Sequence, residues 1–225
     1  MSRDPPLFLD IDGTLTRREG GLDAAVIGPL RSWDAPIILA TGKAFPYPIA
    51  LCHYLSIPER VVAENGGVVC VDDHVELTVN RDHMTEFKGA VADAGFDFGW
   101  GAADTVNRWR ETEVAMAPSV DRDTIEGIAE RHGLEVIDSG YAYHIKDPSV
   151  TKGRGLERAC TLLQLDPETA VAIGDSENDE AMFELAGRSF ALANADAVAA
   201  AAADTVVADG FATGMLSVLE EISST

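Results

Sequence analysis

Short apolar runs bounded by polar or turn residues punctuate both ends of the 225-residue chain: Leu7–Asp10, Ile37–Thr41, Val61–Ala63 and Ala170–Ile173. Continuous apolar runs of that length suit strands covered on both faces. Between and after them, Leu22–Trp33, Phe45–Leu55, Gly153–Leu165 and Asn178–Ala186 read as helices. Strands alternating with helices predict an α/β fold, a doubly wound parallel sheet forming a Rossmann-like core.

The middle of the chain has another rhythm. Arg81–Ala94 places Met84, Phe87 and Val91 at helical spacing and stops at Gly95. Thr105–Ala117 alternates as a sheet strand does, and Thr124–His132 predicts a second helix closed by Gly133. Leu134–Ile137 and Tyr141–Lys146 read as two more strands joined by Asp-Ser-Gly. Helix–strand–strand, twice, predicts a small antiparallel sheet with both helices on one face. The expected organisation is a discontinuous core domain, 1–80 and 148–225, with a small inserted α+β cap at 81–147.

Charge narrows the partners. With 17 Lys+Arg against 38 Asp+Glu, the net charge is −21, which repels nucleic-acid backbones and anionic lipid. Neither nucleic acid nor a membrane is an expected partner. Lysine is confined to Lys43, Lys88, Lys146 and Lys152. A Lys-poor, Asp- and Ala-rich composition resembles halophilic proteins, whose salt screens such self-repulsion. Cys52, Cys70 and Cys160 form no CxxC pair and leave an odd count, so no disulfide framework is expected. No apolar signal core precedes the first strand, and no window reaches the ~18 apolar residues of a membrane helix. A soluble, cytoplasmic protein is expected.

Candidate chemistry gathers where strands end. Leu7-Phe8-Leu9-Asp10-Ile11-Asp12-Gly13-Thr14 closes an apolar run on one carboxylate, with a second two residues later. Ligands of open parallel sheets bind beyond the carboxyl ends of strands, where Asp10 falls. Turn chemistry alone accounts for Asp and Gly there, but a carboxylate on the buried side is costly without a task. Val171-Ala172-Ile173-Gly174-Asp175-Ser176-Glu177-Asn178-Asp179 repeats the arrangement. Asp175 and Asp179 can converge on a hard cation such as Mg²⁺. An EF-hand loop is excluded, because Glu180 stands where that loop needs glycine and Ala186 where it needs its last Glu. Helix capping explains Asp175 or Ser176 and leaves the other acids unexplained. Thr41-Gly42 ends a strand with a hydroxyl suited to a phosphoryl oxygen, and Lys152 opens a helix where its charge can neutralise phosphate.

Asp10-Ile-Asp12-Gly-Thr-Leu-Thr, Thr41-Gly42-Lys43, Lys152 and Gly174-Asp175-Ser-Glu-Asn178-Asp179 match, in order, the four motifs of the haloacid dehalogenase-like phosphohydrolase superfamily, which the chain resembles along its whole length. Glu64-Asn65-Gly66-Gly67 and the position of the insert resemble its Cof-type branch. The small cap and Thr151-Lys152-Gly153-Arg154-Gly155-Leu156 resemble the archaeal phosphoglycolate phosphatases of that branch. Lys43 departs from the pattern, standing where many relatives carry Asn or Arg.

The resemblance implies Mg²⁺-dependent, two-step phosphoryl transfer. Asp10 is then the nucleophile that forms an aspartyl-phosphate, and Asp12 the acid and later the base. Asp10, the backbone carbonyl of Asp12, Asp175 and Asp179 hold the metal, Asp179 directly or through water. Thr41, Lys152, Gly42 and Asn178 hold phosphoryl oxygens. The implied substrate is a small phosphorylated metabolite, 2-phosphoglycolate, with a sugar-phosphate phosphatase or phosphomannomutase as the alternative. A signalling receiver also forms an aspartyl-phosphate, but it lacks a cap and carries its acidic cluster early.

Leaving-group recognition is expected from the cap. A carboxylated substrate wants a cation facing the site, with Lys43, Arg108, Arg110, His144 and Lys146 as candidates. Lys43 is favoured among them because it follows Thr41. Oligomeric state is not legible, since no heptad or exposed apolar stripe stands out.

Overall fold

The structure is a computed structural model, and it describes residues 4–138 and 141–223. The expected Asp-Ser-Gly turn falls largely on Ser139 and Gly140, outside the described residues.

In chain order, Leu7–Asp10 (β1) leads through a 3-10 turn at Ala24–Val26 into Ile27–Ser32 (α1) and then Ile37–Ala40 (β2). Pro46–Leu55 (α2) and Arg60–Ala63 (β3) follow, and then a hairpin of Val68–Val71 (β4) and His74–Leu77 (β5). The middle holds Asp82–Asp93 (α3), Glu113–Met116 (β6), Arg122–Arg131 (α4), Glu135–Asp138 (β7) and Tyr143–Lys146 (β8). Lys152–Leu163 (α5), Val171–Gly174 (β9), Glu180–Leu185 (α6) and Arg188–Ala191 (β10) come next. Ala197–Ala202 (α7), Thr205–Val206 (β11) and Phe211–Ser223 (α8) end the described chain.

Among the described residues, eight strands form one sheet in the order β11-β10-β9-β1-β2-β3-β4-β5. From β11 to β3 every pairing is parallel, and β4 and β5 are added antiparallel. The sheet is therefore mainly parallel, as the alternation of strands and helices predicts, with an antiparallel hairpin added at one end. Asp72 at φ +54° and Asp73 make the two-residue turn that folds β5 back.

The pleat of each central strand feeds two apolar layers. Leu7, Leu9, Ile37 and Leu39 enter one, against Val218 and Leu219 of α8 and Cys52 and Leu55 of α2. Phe8, Ile38 and Ala40 enter the other, against Leu156 and Ala159 of α5 and Met182 and Phe183 of α6. Helices thus cover both faces, which is why these strands read as unbroken apolar runs. The reversal of strand order on either side of β1 opens a crevice beyond the ends of β1, β2 and β9.

A second, antiparallel sheet has the order β6-β8-β7. Val114, Met116 and Ile145 pack on Met84, Phe87, Val91, Ile125 and Ile128 of α3 and α4. Both helices lie on that face, as the spacing predicts. The opposite face carries Glu113, Ala115, His144, Lys146, Glu135 and Ile137, which sit in register with one another. Two expectations change. Leu22–Trp33 is a 3-10 turn and a short α1 rather than one helix. Of Thr105–Ala117 only Glu113–Met116 is a strand, because the Asn107 amide takes the place of a strand partner. It accepts from the Ala115 N–H at 2.8 Å and donates to the Ala115 carbonyl at 2.8 Å. Among the described residues, no helix is long and apolar enough to cross a membrane.

The Glu64-Asn65-Gly66 turn joins the two sheets. Glu64 (φ +51°) and Asn65 (φ +56°) are left-handed, a strain that must be held by contacts. The buried Glu64 carboxylate accepts from the N–H groups of Glu111 and Thr112 and from the Thr112 hydroxyl. Gly66 has φ +112°, and a Cβ there would meet the Thr151 carbonyl oxygen at 2.0 Å. Gly66→Ala is expected to destabilise the fold by about 3 kcal/mol or more, combining a left-handed strain with a backbone clash. Urea unfolding of the two proteins side by side checks this, and equal midpoints would show that the turn can relax.

Candidate active site

Asp10 closes β1 and Asp175 follows β9, and pairing of those strands sets the two carboxylates side by side. Asp179 lies one turn beyond Asp175, in the short 3-10 segment Glu177–Asp179. Its Oδ2 accepts from the N–H groups of Asp175 and Ser176 at 2.9 and 3.0 Å, which folds the loop back on itself. Lys152 opens α5, where the Thr151 hydroxyl caps the helix. The buried Lys152 ammonium donates to Asp10 Oδ1 and to Asp179 Oδ1, each at 2.6 Å. Burial alone would deprotonate this amine, but Asp10 and Asp179 reverse the effect and hold it well above the ordinary lysine range.

Three observations fit these residues to a divalent cation. Asp10, Asp175 and Asp179 offer oxygens that all lie within 4.8 Å of one another. Buried Asp10 Oδ2 and Asp175 Oδ1 have no hydrogen-bond partner among the described residues. Gly13, at φ +84°, leaves the space beside them open, since a Cβ there would lie 2.0 Å from Asp175 Oδ2. Three clustered carboxylates, two of them on buried residues and the third half-buried, leave repulsion unrelieved against one ammonium. Burial, reinforced by the Asp179 charge, accordingly pushes Asp175 up to about 7. Burial likewise lifts Asp10 well above the usual carboxylate range, against the pull of Lys152. Oxygen-only donors of this kind suit Mg²⁺.

Around this centre lies a cavity of about 780 Å³ between the main sheet and the open face of the β6-β8-β7 sheet. Asp12, Thr41, Gly42, Lys43, Lys152 and Asn178 all line it. The Asp12 carboxylate stands outside the three-acid cluster, half exposed, with Lys43 Nζ 3.2 Å from its Oδ1. Thr41 Oγ1 accepts from the Lys43 N–H at 3.1 Å, which leaves its own O–H to donate into the cavity. Asn178 Nδ2 donates to Asn65 Oδ1 at 3.0 Å, so its amide is tied to the inter-sheet turn.

A model of the haloacid dehalogenase-like hydrolase family matches residues 7–93 and 122–219. The chain belongs to that family. It is 53% identical over 220 residues to a phosphoglycolate phosphatase of Halorubrum lacusprofundi, covering 97% of each chain. Its identity to the phosphoglycolate phosphatase of Natronomonas pharaonis is 50% over 219 residues, covering 96% of each. A crystal structure from Thermoplasma acidophilum superposes with a TM-score of 0.82 at 24% identity, covering 99% of both chains. A haloacid dehalogenase-like hydrolase from Bacteroides thetaiotaomicron shares the fold at 16% identity, with a TM-score of 0.78 over 97% of this chain and 99% of that one. Halophilic relatives accord with the acidic, lysine-poor composition.

Within this hydrolase fold, several site residues escape sequence reasoning. Asn194, just past β10, donates to Asp175 Oδ2 at 2.7 Å and to the Gly13 carbonyl at 3.2 Å, locking the two acidic loops together. The Asp196 carboxylate accepts from the Glu177 N–H at 2.7 Å. Glu113 is wholly buried and gathers Asn65 Nδ2, Arg110 Nη1 and His144 Nδ1. Burial raises its pKa, but Arg110, His144 and Asn65 outweigh that and hold it below the usual carboxylate range. The one available signal was a lone acid, Glu113, heading an otherwise apolar strand. Arg108 does not line the cavity, whereas Arg110, His144 and Lys146 do.

Proposed function

We propose that this chain is a Mg²⁺-dependent phosphatase that hydrolyses 2-phosphoglycolate to glycolate and phosphate in the cytoplasm, through an aspartyl-phosphate on Asp10. The observation that carries the reaction class is Asp10 itself, a buried carboxylate held through one oxygen by Lys152 with the other oxygen unpartnered. Support for the substrate comes from full-length relatives named phosphoglycolate phosphatase.

In this reading the core, 1–80 and 148–225, supplies phosphoryl transfer, and the cap, 81–147, closes over it. Asp10 attacks phosphorus while the bond from phosphorus to the glycolate oxygen breaks. Asp12, standing apart from the acid cluster and facing the cavity, gives its proton to the departing oxygen. It then takes a proton from the water that attacks the aspartyl-phosphate, releasing phosphate and restoring Asp10. The Thr41 hydroxyl, the Gly42 backbone and the Lys152 ammonium hold the phosphoryl oxygens, with Asn178 at the edge. Lys43 keeps Asp12 oriented and adds positive charge near the leaving group.

Asp10, Asp175 and the Asp12 backbone carbonyl would hold Mg²⁺, with Asp179 reaching it through water because both of its oxygens are already engaged. When bound, Mg²⁺ offsets the repulsion between the Asp10 carboxylate and the phosphate dianion.

Phosphate release is the test, with 2-phosphoglycolate and hexose phosphates compared in Mg²⁺ and molar KCl. Phosphoglycolate is expected to give the higher kcat/KM, and chelation by EDTA should reduce hydrolysis to background until Mg²⁺ is restored. A preference for hexose phosphates would keep the reaction and overturn the substrate. Undiminished turnover in EDTA would overturn the metal requirement.

A further inference from the structure

Among the described residues, four lysine and arginine side chains face the cavity, and three of them are matched by carboxylates that face it too. Lys152 meets Asp10, Lys43 meets Asp12, and Lys146 donates to Glu135 Oε1 at 2.6 Å. Arg110 differs. Its partner Glu113 is wholly buried and forms no part of the cavity wall, so the pair presents its cation forward and its anion behind.

The guanidinium is also fixed in place. Nε donates to the Val106 carbonyl at 3.2 Å, and Nη1 donates to Glu113 Oε1 at 2.7 Å and to the Gly42 carbonyl at 3.0 Å. Nη2 meets no acceptor among the described residues, although the side chain is only 7% exposed. The bond to Gly42 sets the guanidinium one residue from Thr41, a short atom chain from where a phosphoryl group would sit. A planar fork already immobilised by three acceptors loses little further entropy when it takes an anion.

We propose that Arg110 is the specificity-determining residue of this site, its free Nη2 edge taking an anionic group on the leaving group of the phosphoester. For 2-phosphoglycolate that group is the carboxylate. The inference rests on the phosphatase reading above and adds which residue selects the substrate. Charge-assisted bonds from so buried a guanidinium to a carboxylate are the strong kind.

The test compares kcat/KM for 2-phosphoglycolate with that for ethyl phosphate, which has a methyl group in place of the carboxylate. Wild type is expected to favour the carboxylated ester. In Arg110→Gln that preference should fall about 10- to 100-fold, mainly through KM for phosphoglycolate. Arg110→Lys keeps the charge and loses the fork, so its preference should fall about 3- to 10-fold. It also carries the test if the Gln variant does not fold. Each preference is a ratio measured on one protein preparation, so a smaller folded fraction cancels.

An unchanged ratio in the variants overturns the proposal, and so does a wild type indifferent to the carboxylate. Phosphoserine and 3-phosphoglycerate separate this proposal from the substrate assignment. If wild type prefers one of those esters and the variants lose that preference, Arg110 stands and phosphoglycolate falls. If wild type prefers phosphoglycolate and the variants keep that preference, the reverse holds.

Discussion

Asp10→Asn is expected to fold as wild type does and to lose hydrolysis by about 10⁴-fold or more, because an amide cannot form the aspartyl-phosphate. The sign of the accompanying stability change follows from the site's charges. Burial lifts the Asp10 carboxyl well above its unfolded value, so its contribution to stability is largest at low pH and is lost as pH rises through the raised value. At neutral pH the ionised group therefore costs stability, first through its burial and then through repulsion from Asp179 and Asp175. Asparagine removes that repulsion and can still accept from Lys152 through its carbonyl oxygen. Without Mg²⁺, the variant should melt at or above the wild-type temperature at pH 8, and the gap should narrow as pH is lowered. Single-turnover assays with purified protein, combined with melting curves at two pH values, read both effects. Substantial hydrolysis by a preparation free of host phosphatase would remove Asp10 as the nucleophile.

Legibility in the sequence followed burial geometry. β1, β2, β3 and β9 are legible because each is covered on both faces and therefore spelled in apolar residues. β5 was not, since three of its four residues are exposed. The helix Ala197–Ala202 is almost all alanine, which carries no periodicity to read. Thr105–Ala117 misled through its alternation, because an asparagine side chain can satisfy a strand edge as a neighbouring backbone does.

At the site, the acids stood out because each follows an apolar strand. Asn194 did not, and Arg110 was only one of five candidate cations, because ordinary polar residues gain a role only from what the fold brings to them. Asn194 reaches back to Gly13 and Asp175, and Arg110 reaches across the cavity to Gly42. Neither partner is legible as a neighbour along the chain. Glu113 and Lys152 share one logic: a buried charge is tolerable only where opposite charges meet it, so each marks a place where distant loops must converge.

Lys152→Met is the change expected to cost both stability and turnover. The ammonium lies between Asp10 and Asp179, 2.6 Å from each, and its burial leaves no water to take its place. Removing one partner of a buried ionic cluster typically costs about 3–5 kcal/mol, because the remaining charge is stranded rather than because the pair was strong. Methionine fills the same channel, so the loss should come from charge rather than from a void. In the wild type, Lys152 stays charged until pH passes its raised value, so its contribution persists across the working range. In the variant, the stranded carboxylates can take up protons as pH falls. The stability deficit should therefore be largest near pH 8 and shrink towards pH 5. Mg²⁺ should recover part of it at pH 8 by supplying positive charge to Asp10 and Asp175, yet turnover should stay about 10³-fold down, because a donor to the phosphoryl oxygens is still missing. Urea unfolding at both pH values, with and without Mg²⁺, separates these effects from activity. A variant with wild-type stability at pH 8 would show that Asp10 and Asp179 need no counter-ion from Lys152. One restored to full turnover by Mg²⁺ alone would confine Lys152 to a structural role.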